Sequence, residues 1–350
     1  MRILITGATG YIGSHTVVEL LNAGFDVIGV DNFSNSKPEV LDGIERIVGK
    51  KPDFMQLDCT DYTAFEQVFI KYPDICAVIH FAASKAVGES VEQPLKYFNN
   101  NLRSILNLID LMKNRAKSAN IVFSSSCTVY GQPDENHLPV DENAPLQVAT
   151  SPYGRTKQMC EDILHDCVVA YDSLKVIALR YFNPIGAHPS SFIGELPNGV
   201  PQNLVPYITQ TAAGIRNCLS VFGDDYSTPD GSCIRDYIYV VDLAKAHVKA
   251  VERLLNVSKK DNIDNKDNQA KRYEVFNLGT GKGLSVLELV NAFINATGVK
   301  LNYKIAPRRS GDIEQVWANP SKANKILGWK ADTPIEEVLL SAWKWQKSLK

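Results

Sequence analysis

The chain has 350 residues, 45% hydrophobic and 22% charged, with a formal net charge of −2. That is enough chain for a substantial core in one large or two modest domains. The balance is that of a soluble globular protein and excludes a bulk field suited to nucleic acid or an anionic membrane. No apolar run approaches the ~18 residues of a membrane span. The N-terminus enters a strand at once, without a signal-peptide layout, so a cytoplasmic location is expected. The seven cysteines are scattered and none has Cys-x-x-Cys spacing. Neither a zinc site nor a redox dithiol is therefore expected, and no metal.

Arg2-Ile3-Leu4-Ile5-Thr6 reads as a buried parallel strand. Gly7-Ala8-Thr9-Gly10-Tyr11-Ile12-Gly13 follows, then a helical pattern to Ala23, a stop at Gly24, and a second strand ending in Asp31. This is a complete βαβ unit. Gly7, Gly10 and Gly13 allow a tight turn and let backbone approach a pyrophosphate at a helix N-terminus. Asp31 stands where a carboxylate accepts from an adenosine ribose and repels a 2′-phosphate, so NAD is expected rather than NADP.

The alternation continues. Phe54 to Leu57 precedes Asp58, which could reach an adenine ring or cap the next helix. Ala77 to Phe81 is a buried strand, and Ala82-Ala83 leave room for a cofactor over its end. His80 is expected to be a satisfied core histidine. Leu95 to Lys117 reads as a long helix carrying Asn100. Asn120 to Phe123 is a strand ending in Ser124-Ser125-Ser126, hydroxyls that either face a ligand at the sheet's carboxyl end or solvate a loop. Val176 to Tyr181 is the next strand. Strands alternating with helices predict a doubly wound, Rossmann-like parallel sheet.

Between these last two strands lies Ser151-Pro152-Tyr153-Gly154-Arg155-Thr156-Lys157, with helix-start signals at Ser151 and Pro152. Tyr153 and Lys157 are four apart, so they share a helix face. A tyrosine near pKa ~10 is a poor base at neutral pH, and a nearby ammonium would lower it into a useful range. The plainer reading is an ordinary exposed helix.

After Asn183-Pro184 the texture changes to Gly, Pro, Asn and Ser through about Asn203. The expected division is therefore a cofactor domain over 1–182 and a smaller, mainly substrate-binding α/β domain over 183–350, with the chain able to cross back. The polar stretch Lys259 to Lys271 reads as a mobile surface loop. Ser321 to Leu349, with Trp329, Trp343 and Trp345, reads as helical packing over the second domain.

With these residues in view the chain resembles the extended short-chain dehydrogenase/reductases and, among them, the UDP-glucose (galactose) 4-epimerase family. The glycine loop and Tyr153-x-x-x-Lys157 belong to the wider group. Lys85 to Ser90, Ser124 to Gly131, Arg180 to Pro189, Arg235-Asp236-Tyr237 and Ala306 to Asp312 carry the narrower likeness.

The resemblance implies a redox isomerisation in which Tyr153, as phenolate, takes the sugar 4-hydroxyl proton while hydride passes from C4 to tightly held NAD. The keto sugar turns over and is reduced on its other face. Lys157 would lower the Tyr153 pKa and hold the nicotinamide ribose, and Ser126 would bond the 4-oxygen. Cofactor contacts implied beyond the glycines are Tyr11 and Ile12, then Asp31, Asn32, Asn35 and Ser36. Asp58 and Cys59 follow, then Phe81, Ala82, Ala83, Lys85 and Asn100, and finally Tyr181 and Phe182.

Arg235 and Arg309 would pair with the diphosphate, or else form surface salt bridges with Asp236 or Asp312. Lys85, Asn183, Asn203 and Leu204 would meet phosphate or sugar. Phe222 would line the uridine pocket, and Asp312 would accept from its ribose. The partner implied besides the UDP-sugar is a second copy of the chain, through the helices near 95–117 and 153–171. Val316 stands where some members carry tyrosine, which implies room for a 2-acetamido group. Other nucleotide-sugar enzymes of the group compete as readings, including 4,6-dehydratases and UDP-glucuronate-modifying enzymes. Those dehydratases place Asp-Glu where this chain has Ser126-Cys127. A non-catalytic cofactor binder would lack Tyr153 or Lys157.

Overall fold

The computed structural model describes residues 1–116, 119–260, 272–309 and 312–349. Most of the polar stretch read as a surface loop, 261–271, lies outside them.

In chain order the first half runs β1 (Arg2–Thr6), α1 (Tyr11–Asn22), β2 (Asp26–Asp31), α2 (Val40–Val48), β3 (Asp53–Gln56), α3 (Tyr62–Lys71), β4 (Ile75–His80), α4 (Val87–Glu92), α5 (Pro94–Arg115), β5 (Ala119–Ser126), α6 (Pro152–Ala170) and β6 (Leu174–Tyr181). Then come β7 (Asn183–Ile185), α7 (Leu204–Ala212), β8 (Leu219–Phe222), β9 (Ile234–Arg235), β10 (Tyr237–Tyr239), α8 (Val240–Lys260) and β11 (Tyr273–Leu278). The chain closes with β12 (Leu284–Ser285), α9 (Val286–Thr297), β13 (Tyr303–Ala306), β14 (Gln315–Val316), α10 (Ser321–Ile326) and α11 (Ile335–Ser348).

Seven strands form one parallel sheet in the order β11-β6-β5-β4-β1-β2-β3. Order reverses between β1 and β4, the crevice where such sheets bind ligands. Strand side chains alternate between faces. Ile3, Ile5, Ile79 and Val122 pack with α1 and α8, while Leu4, Val78, Ile121 and Phe123 pack with α3, α5 and α6. Burial on both faces explains why these strands read as continuous apolar runs.

The second half is not a separate sheet layer throughout. α8 covers one face of the large sheet, and β11 pairs with β6 as an edge strand, so the chain crosses back over the division expected at residue 182. A smaller cluster gathers Ile185, Val205, Leu219, Tyr237, Phe293 and Leu339 from β7, α7, β8, β10, α9 and α11. The helix α2, between β2 and β3, had no counterpart in the sequence reading. Its Gly43 lies where a Cβ would meet the Phe192 carbonyl oxygen at 2.4 Å, so glycine there admits the loop after β7.

Candidate active site

The β1–α1 turn shows why its glycines are glycines. Gly7 has φ +71°, and a Cβ on Gly13 would lie 2.1 Å from the Gly7 carbonyl oxygen. Gly10 caps α1 without a side-chain bond, so the helix opens on backbone N–H groups and the positive end of its dipole. Asp31 ends β2, accepting from the Thr9 and Phe33 N–H groups at 3.1 and 2.9 Å. Ser36 donates to the same carboxylate at 3.2 Å and meets Thr9 Oγ1 at 2.7 Å. These groups fit a dinucleotide: a turn with no room for a Cβ at Gly13 and a positive φ at Gly7, the N-terminal end of a helix, and a carboxylate fixed at the end of β2.

Asn32 Nδ2 donates to Asp58 at 2.9 Å. Burial pushes Asp58 up, but bonds from Thr60 and Asn32 leave it below the ordinary carboxylate range. The helix cap considered for Asp58 is instead Asp61, whose side chain accepts from Ala64 N. Cys59 is buried, which pushes its thiol up. Asn35 is exposed on the loop after β2. Tyr11 donates to the Gly186 carbonyl at 2.7 Å, tying the glycine loop to the chain after β7, and Ile12 packs against both cores there.

At the end of β4, Phe81 N and Ala82 N are bound by Thr6, and Ala83 follows half-buried. His80 is a core residue as expected: it meets Thr6 Oγ1 at 2.8 Å and Ser104 at 3.4 Å, and burial pushes it down to about 3. Asn100 donates to its neighbour Asn101 at 3.0 Å.

β5 runs through Ser126, and its three serines are buried rather than solvating a loop. The Ser126 hydroxyl accepts from Thr128 N at 3.2 Å. α6 starts at Pro152, with Ser151 accepting from Gly154 N at 3.2 Å. Tyr153 is pushed up to about 12 by burial, and a hydrogen bond with Ser126 works against that rise. Lys157 is 3% exposed, donates to the Ser124 carbonyl at 2.6 Å, and is pushed down to about 8 by burial. The lysine's hydrogen bond goes to the strand and not to the Tyr153 hydroxyl. Its ammonium points at the strand and lies 5.9 Å from the Tyr153 ring centroid. Ser126 is the group that pulls Tyr153 down. Ser124 and Tyr181 share a very short hydroxyl contact, and Phe182 is buried beside them in sequence.

Apart from Lys85, Ser126 and Tyr153, the expected substrate residues sit on the second half. Asn183 N bonds the Asp236 carbonyl at 2.9 Å. Arg235 does not pair with Asp236; it donates to the Ile234 and Glu314 carbonyls at 2.8 and 3.3 Å. Asp236 is fully buried and accepts from Thr280, Gly281 and Ala318. Arg309 does form its salt bridge, with Asp312 at 2.7 Å, and its guanidinium lies 5.6 Å from the Phe222 ring centroid. Val316 is 3% exposed, paired in register with Arg235 and packed in one cluster with Val129, Tyr130 and Phe182. Asn203 and Leu204 open α7. Among the described residues no group of three or more metal-type ligands gathers, and no helix is long and apolar enough to cross a membrane.

A family model described as GDP-mannose 4,6 dehydratase matches residues 4–341. The UDP-glucose 4-epimerase of Bacillus subtilis is 50% identical over 99% of this chain and 97% of its own. The Homo sapiens UDP-glucose 4-epimerase is 45% identical over 99% and 96%. The solved Bifidobacterium longum UDP-glucose 4-epimerase, in complex with NAD+ and UDP, superposes with a TM-score of 0.91 at 46% identity, over 99% and 98% of the two chains. The chain belongs to the UDP-glucose 4-epimerases.

Sequence reasoning passed over three features of this epimerase. Asn101 bonds the Ser84 backbone through both ends of its amide and also Thr156 on α6. Glu161, one turn beyond Lys157, receives both Ser125 and a two-pronged contact from Arg180. Glu195 touches Lys85 and Asn203. The Tyr153-x-x-x-Lys157 spacing extends naturally to Glu161 at the next turn, which was an available signal; a single acid in a Gly- and Pro-rich stretch was not.

Proposed function

We propose that the epimerase interconverts UDP-galactose and UDP-glucose through a 4-keto sugar, with NAD retained through each turnover. The observation that carries this is the meeting of Ser126, Tyr153 and Lys157 at the carboxyl end of β5, in the same parallel sheet whose β1–α1 turn has no room for a Cβ at Gly13. NAD would lie on that turn with Asp31 at its adenosine ribose; when bound, it supplies the hydride acceptor and donor at C4. Tyr153 Oη takes the proton of the 4-hydroxyl, holds it while the keto sugar turns over, and returns it to the hydroxyl formed on the other face. Ser126 hydrogen-bonds the 4-oxygen and favours the phenolate. Lys157 sets the charge beside them, and Arg235 and Arg309 take the diphosphate by exchanging their present partners for phosphate oxygens.

Ser126-Cys127 stands where 4,6-dehydratases carry Asp-Glu, and a hydroxyl and a thiol raised to about 11 by burial do not perform that elimination. The buried valine at 316 supports room for 2-acetamido sugars as well; a Campylobacter jejuni relative, 34% identical, is a UDP-Glc/GlcNAc 4-epimerase. Exposed Leu95 and Leu106 on α5 and Val169 on α6 support a homodimer through these helices. Free cysteines at all seven positions suit a reducing cytoplasm.

The test is incubation of purified protein, without added cofactor, with UDP-galactose. Formation of UDP-glucose is expected. Silence both with and without added NAD would overturn the reading.

A further inference from the structure

Glu195 lies on the loop between β7 and α7, and its backbone is fixed from the far end of the chain. The Trp345 indole on α11 donates to the Glu195 carbonyl at 2.9 Å. Gly194 lies so close to that ring that a Cβ there would sit 2.5 Å from it. The side chain is only 10% exposed. Its carboxylate receives Asn203 Nδ2 at 2.6 Å and lies 3.6 Å from Lys85 Nζ. Lys85 belongs to the segment after β4, on the large sheet, whereas Asn203 begins α7 in the smaller layer. One carboxylate therefore joins a donor from the large-sheet half to a donor from the smaller layer.

We infer that Glu195 is a positioning residue that sets Lys85 and Asn203 for the UDP-sugar; this rests on the functional reading above. The physical reason is preorganisation. A half-exposed lysine samples many rotamers, and fixing it before association removes that cost from binding. The lysine also offsets the carboxylate's charge, so the pair presents donors to an anionic substrate without a bare anion facing it.

The experiment compares Glu195→Gln and Glu195→Ala in the full-length chain, by kcat and KM for UDP-galactose and by calorimetric binding of UDP-galactose. The amide keeps an acceptor for Asn203 and loses the charge opposite Lys85; alanine loses both. KM is expected to rise roughly threefold in Glu195→Gln and roughly tenfold in Glu195→Ala, with kcat within about twofold of the parent. In a Lys85→Met, Asn203→Ala background, Glu195→Ala should add no further loss, because the groups it acts through are gone. A merely structural role would add the same loss in either background. An unmoved KM, or equal losses in both backgrounds, overturns the inference; should the alanine variant fail to fold, Glu195→Gln in the two backgrounds decides it. Failure of the parent protein to bind UDP-galactose at all would instead overturn the functional reading beneath it.

Discussion

Lys157 directs its ammonium at the Ser124 carbonyl oxygen, 2.6 Å away, and not at the Tyr153 hydroxyl one turn earlier. Among the described residues no carboxylate forms a salt bridge with this buried cation, and burial holds it at about 8 rather than 10.5. Such a displacement corresponds to about 3 kcal/mol, at about 1.4 kcal/mol for each tenfold step. Below pH 8 both folded and unfolded lysine carry the proton, so folding bears the full cost of burying the charge. Between about 8 and 10.5 the unfolded chain holds more protons, and this group's contribution to stability improves as pH rises. Lys157→Met should therefore melt several degrees above the parent at pH 7 while losing at least ~100-fold in turnover. A lower melting temperature would contradict the account.

Tyr153 depends on Ser126 in the opposite sense. Burial pushes its phenol to about 12, and the Ser126 hydrogen bond opposes this. A base works only when deprotonated, so the rate should climb with pH on the acid limb. Ser126→Ala should move that limb to higher pH as well as lowering kcat. Tyr153→Phe should remove roughly a thousandfold or more of the turnover with no acid limb left to measure. Steady-state pH profiles of parent and Ser126→Ala, compared at saturating UDP-galactose, settle the point.

Glu161 and Arg180 form a buried, two-pronged ion pair, with Arg180 also donating to Tyr130 at 3.0 Å and Ser125 donating to Glu161. Glu161→Gln leaves a buried guanidinium without its counter-charge and should cost about 3–5 kcal/mol of stability. The paired change Glu161→Gln with Arg180→Met should recover most of that. Chemical denaturation of the two variants measures both numbers, and a larger loss in the double variant would refute the assignment of the cost to the unpaired charge.

Val316 packs beside Phe182 and in register with Arg235. Val316→Tyr should reduce turnover of UDP-GalNAc at least ~10-fold more than that of UDP-galactose, since extra volume at this position is felt first by the bulkier sugar. A parallel assay with both sugars checks it; equal losses would place the acetamido group elsewhere.

What could be read from the sequence follows from how local each signal is. The β1–α1–β2 unit was legible because Gly10, Gly13 and Asp31 answer to contacts within one short stretch and Gly7 to its own positive φ, although Gly7 also faces Phe81 and Ala82. The α2 helix was not, because its Gly43 answers to Phe192, distant in sequence. β11 was missed because its six residues follow a polar stretch and its partner, β6, lies far upstream. The spacing put Tyr153 and Lys157 on one face. Which oxygen the lysine meets is decided by how α6 sits on β5, and no spacing rule contains that.

The late return of β11 also sets a schedule. Tyr273–Leu278 covers the outer side of β6, and Leu278 receives the Phe182 N–H at 3.3 Å. On the ribosome the earlier strands emerge first, yet β6 keeps an open hydrogen-bonding edge until residue 278 has been made, and open edges recruit other chains. A nascent chain that stalls before Tyr273 therefore carries every residue of the Ser126, Tyr153 and Lys157 group and still has an incomplete floor beneath it. Translation order, rather than domain order, decides when this protein first becomes an enzyme.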